Sequence, residues 1–206
     1  MMEVLIGKKL GMTQIFAESG DMTPVSVIQA GPCPVVQIKT DEKEGYSSIQ
    51  IGFGEAKENR VSKPLRGHYK RGGVGPCRVL KEIRVEDPGQ FKVGDKLDVS
   101  LFEGVERVHV AGVSKGKGFA GTVKRHHFSR GPESHGSKNI REPGSVGLCA
   151  TPSRVFKGKR LAGRMGGRRT TVKNLELVQV DVDNNLLYIK GAVPGATNGI
   201  VYIQKP

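Results

Sequence analysis

Short runs in which apolar and polar residues alternate recur along the chain, and they predict β-strands. Candidate strands, each bounded by Gly, Pro or Asp, lie at residues 25–28, 35–38, 46–53, 79–85, 96–101, 107–113 and 199–204. Val178, Val180 and Val182 alternate with polar residues, and a turn sequence at 183–185 precedes a second apolar run at 186–189, which predicts a hairpin. Many short strands separated by Gly and Pro favour a mainly β fold, either a closed barrel or a sandwich.

Two stretches interrupt the strand pattern. Residues 60–73 are polar and are predicted to form a small insertion with one or two helical turns. In residues 119–128, Phe119, Val123 and His127 are spaced four apart, which predicts a short helix. Residues 129–167 have few apolar side chains and many glycines, which is typical of a functional or disordered segment. We therefore predict a barrel domain from residues 1–110 and 174–206, with an irregular extension at 111–173.

The net charge is concentrated in that same extension. The chain has 33 Lys and Arg residues against 20 Asp and Glu, a net charge of +13. Residues 111–173, the basic window, hold 15 basic residues and two acids, whereas the remaining 143 residues hold 18 of each. Such a segment cannot neutralise itself, so it predicts a polyanionic partner. Because its basic residues alternate with Gly instead of lying on an amphipathic helix, nucleic acid is favoured over an acidic membrane surface.

Composition argues against secretion and membrane insertion. No apolar run approaches the length of a membrane span, and Lys8 and Lys9 interrupt the apolar stretch near the N-terminus, unlike in a signal peptide. Three widely separated cysteines, Cys33, Cys77 and Cys149, indicate reduced thiols in a cytoplasmic protein. Only 36% of the residues are hydrophobic and Trp is absent, so we expect part of the chain to pack against a partner.

Residues 116–121 read G-K-G-F-A-G and match a dinucleotide-binding pattern, with Glu142 about twenty residues further on. A dinucleotide fold also needs a parallel strand before that acid, and residues 131–141 are unsuited to form one. The spacing of these glycines excludes a Walker P-loop as well. We interpret them as glycines that let the backbone approach phosphates, which Lys115 and Lys117 neutralise.

Other catalytic and metal-binding patterns are weak. The histidines have neither the C-x-x-C nor the H-x₃-H spacing of a zinc site, and no carboxylate pair is placed for acid–base chemistry. The sequence does not exclude a Cys149–His pair, although nothing in it favours one. We expect no enzyme activity, cofactor, metal or small-molecule substrate. The histidines of the basic window and Phe128 are instead candidates for stacking on bases or riboses or for donating to phosphates. For Phe119 and Phe128, anchoring the window on itself is an equally good interpretation.

The order of several motifs resembles the L-three family of bacterial large-subunit ribosomal proteins over essentially the whole chain. The motifs are LIGKKLGMTQIF at 5–16, AGPCPVV at 30–36, LRGHY at 65–69, SKGKGFAG at 114–121, GPESHG at 131–136, PGSVG at 143–147, RVFKGK at 154–159, AGRMG at 162–166 and GAVPG at 191–195.

The resemblance implies a six-stranded barrel akin to a domain of translation factors. It also implies an extension that enters large-subunit rRNA and reaches toward the peptidyl-transferase centre, with residues 136–147 near its tip. The implied partners are large-subunit rRNA and neighbouring ribosomal proteins, with no membrane partner. The implied role is a structural one in early subunit assembly, without catalysis. A free regulator that binds RNA or DNA remains the alternative.

The predicted rRNA-binding residues are the basic and histidine side chains of the window: Lys115, Lys117, Lys124, Arg125, His126, His127, Arg130, His135, Lys138, Arg141, Arg154, Lys157, Lys159, Arg160, Arg164, Arg168 and Arg169. In some bacterial relatives a methylated Gln follows the Gly-Ser-x-Gly motif, but here residues 144–147 are followed by Leu148. Because leucine has no amide nitrogen, we expect no such modification at Leu148.

Overall fold

The computed structural model describes residues 4–17 and 20–206, and its chain is mostly β-structure. The strands are β1 (Val4–Phe16), β2 (Met22–Ala30), β3 (Cys33–Lys39), β4 (Ser48–Glu55), β5 (Cys77–Arg84), β6 (Lys96–Leu97), β7 (Arg107–Val113), β8 (Phe119–Ala120), β9 (Gly163–Arg164), β10 (Arg169–Asp181), β11 (Leu186–Lys190) and β12 (Ile200–Gln204). The α-helices are α1 (Asp41–Glu44), α2 (Lys63–Arg71) and α3 (Thr122–His126), and short 3₁₀ turns lie at Glu58–Arg60, Pro88–Gln90 and Val99–Phe102.

Six strands close into an antiparallel barrel in the order β1-β12-β7-β10-β11-β2. The predicted closed barrel is therefore confirmed. The barrel closes between the beginning and the end of the chain, because Val4 pairs with Gln204 and Lys8 pairs with Ile200. The strands that flank the basic window are also neighbours, since Val113 at the end of β7 pairs with Arg169 at the start of β10.

The hydrophobic core lies inside the barrel and continues beneath a second sheet. This second sheet has the order β5-β4-β3-β6. Fully buried side chains from the barrel, such as Leu5 and Val110, belong to the same cluster as Ile51 of β4 and Phe102 of the 3₁₀ turn after β6. One core therefore stabilises both sheets.

Helix α2 and the preceding 3₁₀ turn form the predicted small helical insertion. Pro64 stands in the first turn of α2, where a missing N–H costs no hydrogen bond, and Gly72 follows its last residue. Tyr69 is buried, and its hydroxyl donates to the Cys77 carbonyl at 2.9 Å. The helix is thus fixed to the start of β5.

The chain divides into two compact units. The first, the barrel unit, runs to Ser114 and resumes at Arg169, and the second, the extension, is Lys115–Arg168. Within the extension the regular elements are the two-residue strands β8 and β9 and the helix α3. From His127 to Ala162 the described backbone forms turns, bends and one isolated bridge between Cys149 and Pro152, in agreement with the irregular segment that the glycine content predicts.

Three local expectations need correction. The strand expected at 96–101 is only two residues long, because Asp98 caps a 3₁₀ turn by accepting from the Ser100 N–H at 3.1 Å. Phe119, expected on a helix, lies in β8, and the helix itself is Thr122–His126. The predicted hairpin is confirmed as β10–β11, but a bulge near Val178 leaves that side chain exposed while Leu177 and Val180 pack against the core.

Gly7 occupies a position in β1 at which no side chain fits. A Cβ there would lie 2.8–2.9 Å from Ile28, the Gln29 carbonyl oxygen and Ile203. We expect Gly7→Ala to lower the free energy of unfolding by about 1–3 kcal/mol, which urea denaturation would measure. The matched control is Gly11→Ala in the same strand, where a Cβ meets no atom within 4 Å. If the two variants are equally stable, the close packing around Gly7 is wrong.

Candidate nucleic-acid interface

The extension presents most of its positive charge to solvent. It holds 13 basic residues, and its acids are Glu133 and Glu142. The structure brings sixteen of the seventeen predicted site residues into this unit, and fourteen of those sixteen are exposed: Lys115, Lys117, Lys124, His127, Arg130, His135, Lys138, Arg141, Arg154, Lys157, Lys159, Arg160, Arg164 and Arg168.

The other two predicted residues of the extension, Arg125 and His126, are half-buried and make bonds within the chain. The Arg125 guanidinium donates to the Leu161 carbonyl at 2.8 Å, and Nε2 of His126 lies 2.9 Å from the same oxygen. Since a carbonyl oxygen only accepts, Nε2 carries the proton in this bond. A Cβ at Gly163 would collide with Arg125. These two side chains therefore hold α3 against the strand that returns toward the barrel, a role that spacing along the sequence did not indicate.

The two chain segments at the base of the extension run side by side. Phe119 pairs with Arg164, and the Lys117 N–H donates to the Met165 carbonyl at 2.9 Å. Gly166 has a φ of +71°, and a Cβ there would collide with the Lys115 carbonyl oxygen. This close approach needs glycine, and it places exposed Lys115 and Lys117 beside exposed Arg164 on the returning segment.

Further along, residues 131–140 close a loop. The Gly131 N–H donates to the Ile140 carbonyl at 2.9 Å, and a Cβ on Gly131 would collide with the Asn139 carbonyl oxygen. Arg130 pairs with Glu133 at 2.6 Å, so this arginine is partly neutralised within the chain. An exposed pair of this kind contributes little stability, which leaves Arg130 able to exchange Glu133 for a phosphate.

The extension exposes apolar side chains and buries almost none. Phe119 is 80% exposed and Leu148 is 81% exposed, and the other exposed large apolar residues of this unit are Val146, Val155, Phe156 and Leu161. Its buried positions among the described residues are Ala120 and Thr122. The Arg154 guanidinium lies over the Phe156 ring at 5.5 Å. Apart from Phe119, for which stacking was one of two interpretations, these apolar residues were not predicted as contacts, although their position between Gly and basic residues could have indicated them.

Arg169, the last predicted site residue, belongs to the barrel unit. It begins β10, and its guanidinium lies over the ring of Tyr202 in β12 at 5.8 Å. Its charge is exposed at the point where the chain re-enters the barrel.

Three observations bear on the weak catalytic and metal-binding patterns of the sequence. Among residues 4–17 and 20–206, no three His, Cys, Asp or Glu side chains are grouped as metal ligands would be. Burial raises the pKa of the Cys33 thiol to about 12 and also raises that of Cys77, which disfavours the reactive thiolate of both. Residues 116–121 follow β7, whose neighbours β10 and β12 are both antiparallel to it, unlike the strands of a dinucleotide fold.

Comparison of the sequence with known proteins identifies the family of this chain. The sequence profile of the family described as ribosomal protein L3 matches residues 91–185. A relative from Syntrophobacter fumaroxidans, named large ribosomal subunit protein uL3, is 53% identical over 205 residues, which cover 100% of this chain and 98% of the relative. The chain belongs to the uL3 family. Relatives of the same name from Pelotomaculum thermopropionicum and Acidothermus cellulolyticus are 55% and 54% identical over 201 residues, covering 98% and 97% of this chain and 95% and 90% of theirs.

The uL3 profile match includes the entire extension together with all of β7 and β10. The segment with the fewest buried side chains is thus inside the region by which the family is recognised. In the described part of this uL3 chain, no helix has both the length and the apolar character needed to span a membrane.

Proposed function

We propose that this chain is a structural component of the large ribosomal subunit that binds large-subunit rRNA through the basic window at residues 111–173. The observation that carries the proposal is the extension itself, which holds 13 basic residues against two acids and buries almost no apolar side chain. The relatives that cover the full chain are named as large ribosomal subunit proteins. A segment that cannot fold around its own core gains order from a partner.

The proposed contacts are mainly with phosphates. Exposed Lys and Arg side chains on a glycine-rich backbone can follow an irregular RNA surface closely, because glycine imposes no Cβ between the backbone and the phosphates. Arg125 is less suited to this role than the other cations, since its guanidinium already donates to Leu161. We propose that it positions α3 and that the exposed cations carry the binding.

Exposed rings supply a second kind of contact. Phe119, Phe156 and the exposed His127 and His135 are available to stack on unpaired bases, a mode that single-stranded parts of RNA favour. Stacking also removes the apolar surface of Phe119 and Phe156 from water. The proposed binding therefore combines phosphate neutralisation with burial of apolar side chains that are exposed in the free chain.

The proposed role is in early subunit assembly in the cytoplasm, without catalysis, and neighbouring ribosomal proteins are proposed as further partners. Proximity to the peptidyl-transferase centre is supported by the resemblance alone. The alternative of a free regulator predicts tight binding to an isolated RNA or DNA site, whereas a subunit component stays on assembled particles.

Cosedimentation separates these two functions. Tagged protein expressed in its host should cosediment with large subunits and remain there through a high-salt wash that removes loosely bound proteins. A variant with Lys157, Lys159 and Arg160 changed to Gln should be recovered in large subunits at a reduced level. Recovery of the unmodified sequence only in the ribosome-free fraction would refute the proposal and favour the regulator.

Leu148 stands where some bacterial relatives have a methylated Gln, and the absence of this modification here is a separate prediction. Its side chain is 81% exposed and contains no nitrogen. We expect the intact mass of the native protein, and the mass of the peptide containing Leu148, to show no added methyl group at this residue. A mass increase of one methyl group located at Leu148 would contradict this expectation.

A further inference from the structure

A second positively charged segment lies outside the basic window. Residues 57–84 contain nine basic residues and two acids, Glu58 and Glu82. The charge balance outside the window conceals this segment, because the rest of that part of the chain holds nine basic and 16 acidic residues. Per residue, its positive charge is as dense as that of the window. It includes α2 and the edge strand β5 of the second sheet.

The structure places much of this charge on one face of the sheet. Nε2 of His68 in α2 lies 2.5 Å from Oε1 of Gln50 in β4, so α2 packs on the face that carries Gln50. Gln50 is the cross-strand partner of Glu82 in β5. Because side chains alternate along a strand, Arg78 and Arg84 share the face of Glu82. We call this face, together with the exposed side of α2, the outer face of the second sheet.

Glu82, a carboxylate on the outer face, already has bonding partners within the chain. Glu82 pairs with Lys39 at 2.6 Å and accepts from the Tyr46 hydroxyl at 2.8 Å, and the Lys39 bond is the main cause of the lowered pKa of Glu82. The Arg84 guanidinium lies over the Tyr46 ring at 5.9 Å. Glu82 is therefore not available to balance the cations of α2.

The cations of α2 and the turn before it have no acidic partner in the part of the chain that the structure describes. This holds for five exposed side chains: Lys57, Arg60, Lys63, Lys70 and Arg71. Lys63 and Lys70 are two helical turns apart, about 10 Å along the axis, and so lie on the same side of α2. Arg71 extends this group at the C-terminal end of the helix.

The helix that carries these cations is held rigidly. The Tyr69 hydroxyl bonds to β5, Arg66 Nε donates to the Val61 carbonyl at 2.9 Å, and a Cβ at Gly72 would lie 2.6 Å from the Val36 carbonyl oxygen in β3. A rigid helix loses little backbone conformational entropy when its side chains bind. Charged side chains also protect edge strands such as β5 from pairing, which accounts for Lys81, but that protection does not require cations on a helix above the sheet.

We propose that the outer face of the second sheet is a second RNA-binding surface, which contacts the phosphate backbone through Lys63, Lys70 and Arg71. RNA is favoured over a protein partner because each nucleotide brings a negative charge, whereas a folded protein surface carries charges of both signs. This surface belongs to the barrel unit and not to the extension, so it extends the proposed function and is tested independently of it.

The first test measures how salt weakens binding of the full-length chain to purified large-subunit rRNA. The variant Lys63→Gln, Lys70→Gln, Arg71→Gln should make the slope of log K against log salt shallower by about 2 to 3, because each lost phosphate contact removes about 0.7–0.9. The matched control is Lys43→Gln, Lys92→Gln, Arg107→Gln, which removes three exposed cations that lie close to acids in sequence. The control slope should change by less than about 1.

An unchanged slope for the α2 variant overturns this proposal and leaves the extension proposal intact, because the extension is unaltered in both variants. Equal flattening in the variant and the control overturns it too, since any cation would then serve. Circular dichroism and the melting temperature of each variant confirm that the fold is retained.

The second test identifies the partner inside large subunits. A photo-reactive benzoylphenylalanine at Lys63 or Lys70 of the full-length chain should crosslink to rRNA in purified subunits. The same probe at exposed Glu103, outside this segment, is the control and should give much less RNA product. A crosslink from Lys63 and Lys70 to a protein, or no crosslink from either, contradicts the proposal.

Discussion

Replacing residues 115–168 by a short Gly/Ser turn should leave a barrel that melts cooperatively but no longer associates stably with large subunits. The barrel should survive because Val113 and Arg169 are cross-strand partners, so a turn of ordinary hairpin length joins β7 to β10. Among the described residues, all members of the hydrophobic core cluster lie outside the extension. Shortening the loop should raise the free energy of unfolding by up to about 2 kcal/mol, since each doubling of loop length costs about 0.6 kcal/mol.

Thermal melting of the deletion variant tests whether the barrel still unfolds cooperatively, and cosedimentation of the same variant tests whether it still associates with large subunits. Limited trypsin digestion of the full-length chain adds a direct comparison, because the exposed Lys and Arg residues of the extension should be cut rapidly in the free protein and protected by rRNA. An unfolded deletion variant, or a free extension that resists trypsin, would show that residues 115–168 belong to the stabilising core.

Binding to large-subunit rRNA fragments should weaken steeply with salt. If about eight cations of the basic window meet phosphates, log K should fall against log salt with a slope of about −6 to −7, which is roughly a 10⁴-fold loss of affinity between 50 and 200 mM salt. Changing Lys157, Lys159 and Arg160 to Gln should make the slope shallower by about 2 to 3 and leave the melting temperature unchanged, because all three side chains are exposed.

The control for this titration lies in the same unit. Arg125→Gln removes one cation that donates to Leu161, so it should change the slope by less than the loss of any one exposed cation while loosening α3. A slope near zero for the unmodified chain would show that phosphate contacts do not dominate. A larger slope change for Arg125→Gln than for the loss of an exposed cation would show that Arg125 binds phosphate directly.

Local patterns predicted the mainly β domain and the irregular extension, whereas they left a barrel and a sandwich open and the six-stranded barrel was implied by the family resemblance. Alternation marks strands whose two faces differ, as in β11, where Leu187 and Ile189 are buried and their neighbours are more exposed. Alternation of apolar and polar residues did not identify β1 as a strand, because a charged residue, Lys9, occupies one of its buried positions. Its Nζ donates to the Val193 carbonyl at 3.0 Å, a contact between residues 184 positions apart that no local pattern reveals.

For the candidate site, sequence identified which residues are positively charged but not which of them are free to bind. The bonds of Arg125 and His126 to Leu161 join residues 36 and 35 positions apart, so they depend on how the extension folds back. The charge on α2 was overlooked for a different reason. The 143 residues outside the basic window are neutral in total, because the positive segment 57–84 is balanced by acidic residues elsewhere in them. Counting charge over windows of about 30 residues would have revealed the positive segment.

The pairing of β1 with β12 imposes an order of events during synthesis. The barrel cannot close until β12 has emerged, so the cationic extension is made while the barrel is still incomplete. At about 5–20 residues per second, translation of β10, β11 and β12 adds a few seconds to that interval. A new chain therefore exposes its most positively charged segment to cellular polyanions before its fold is complete. Early binding to rRNA, or to a temporary acidic partner, would prevent nonspecific binding of this segment.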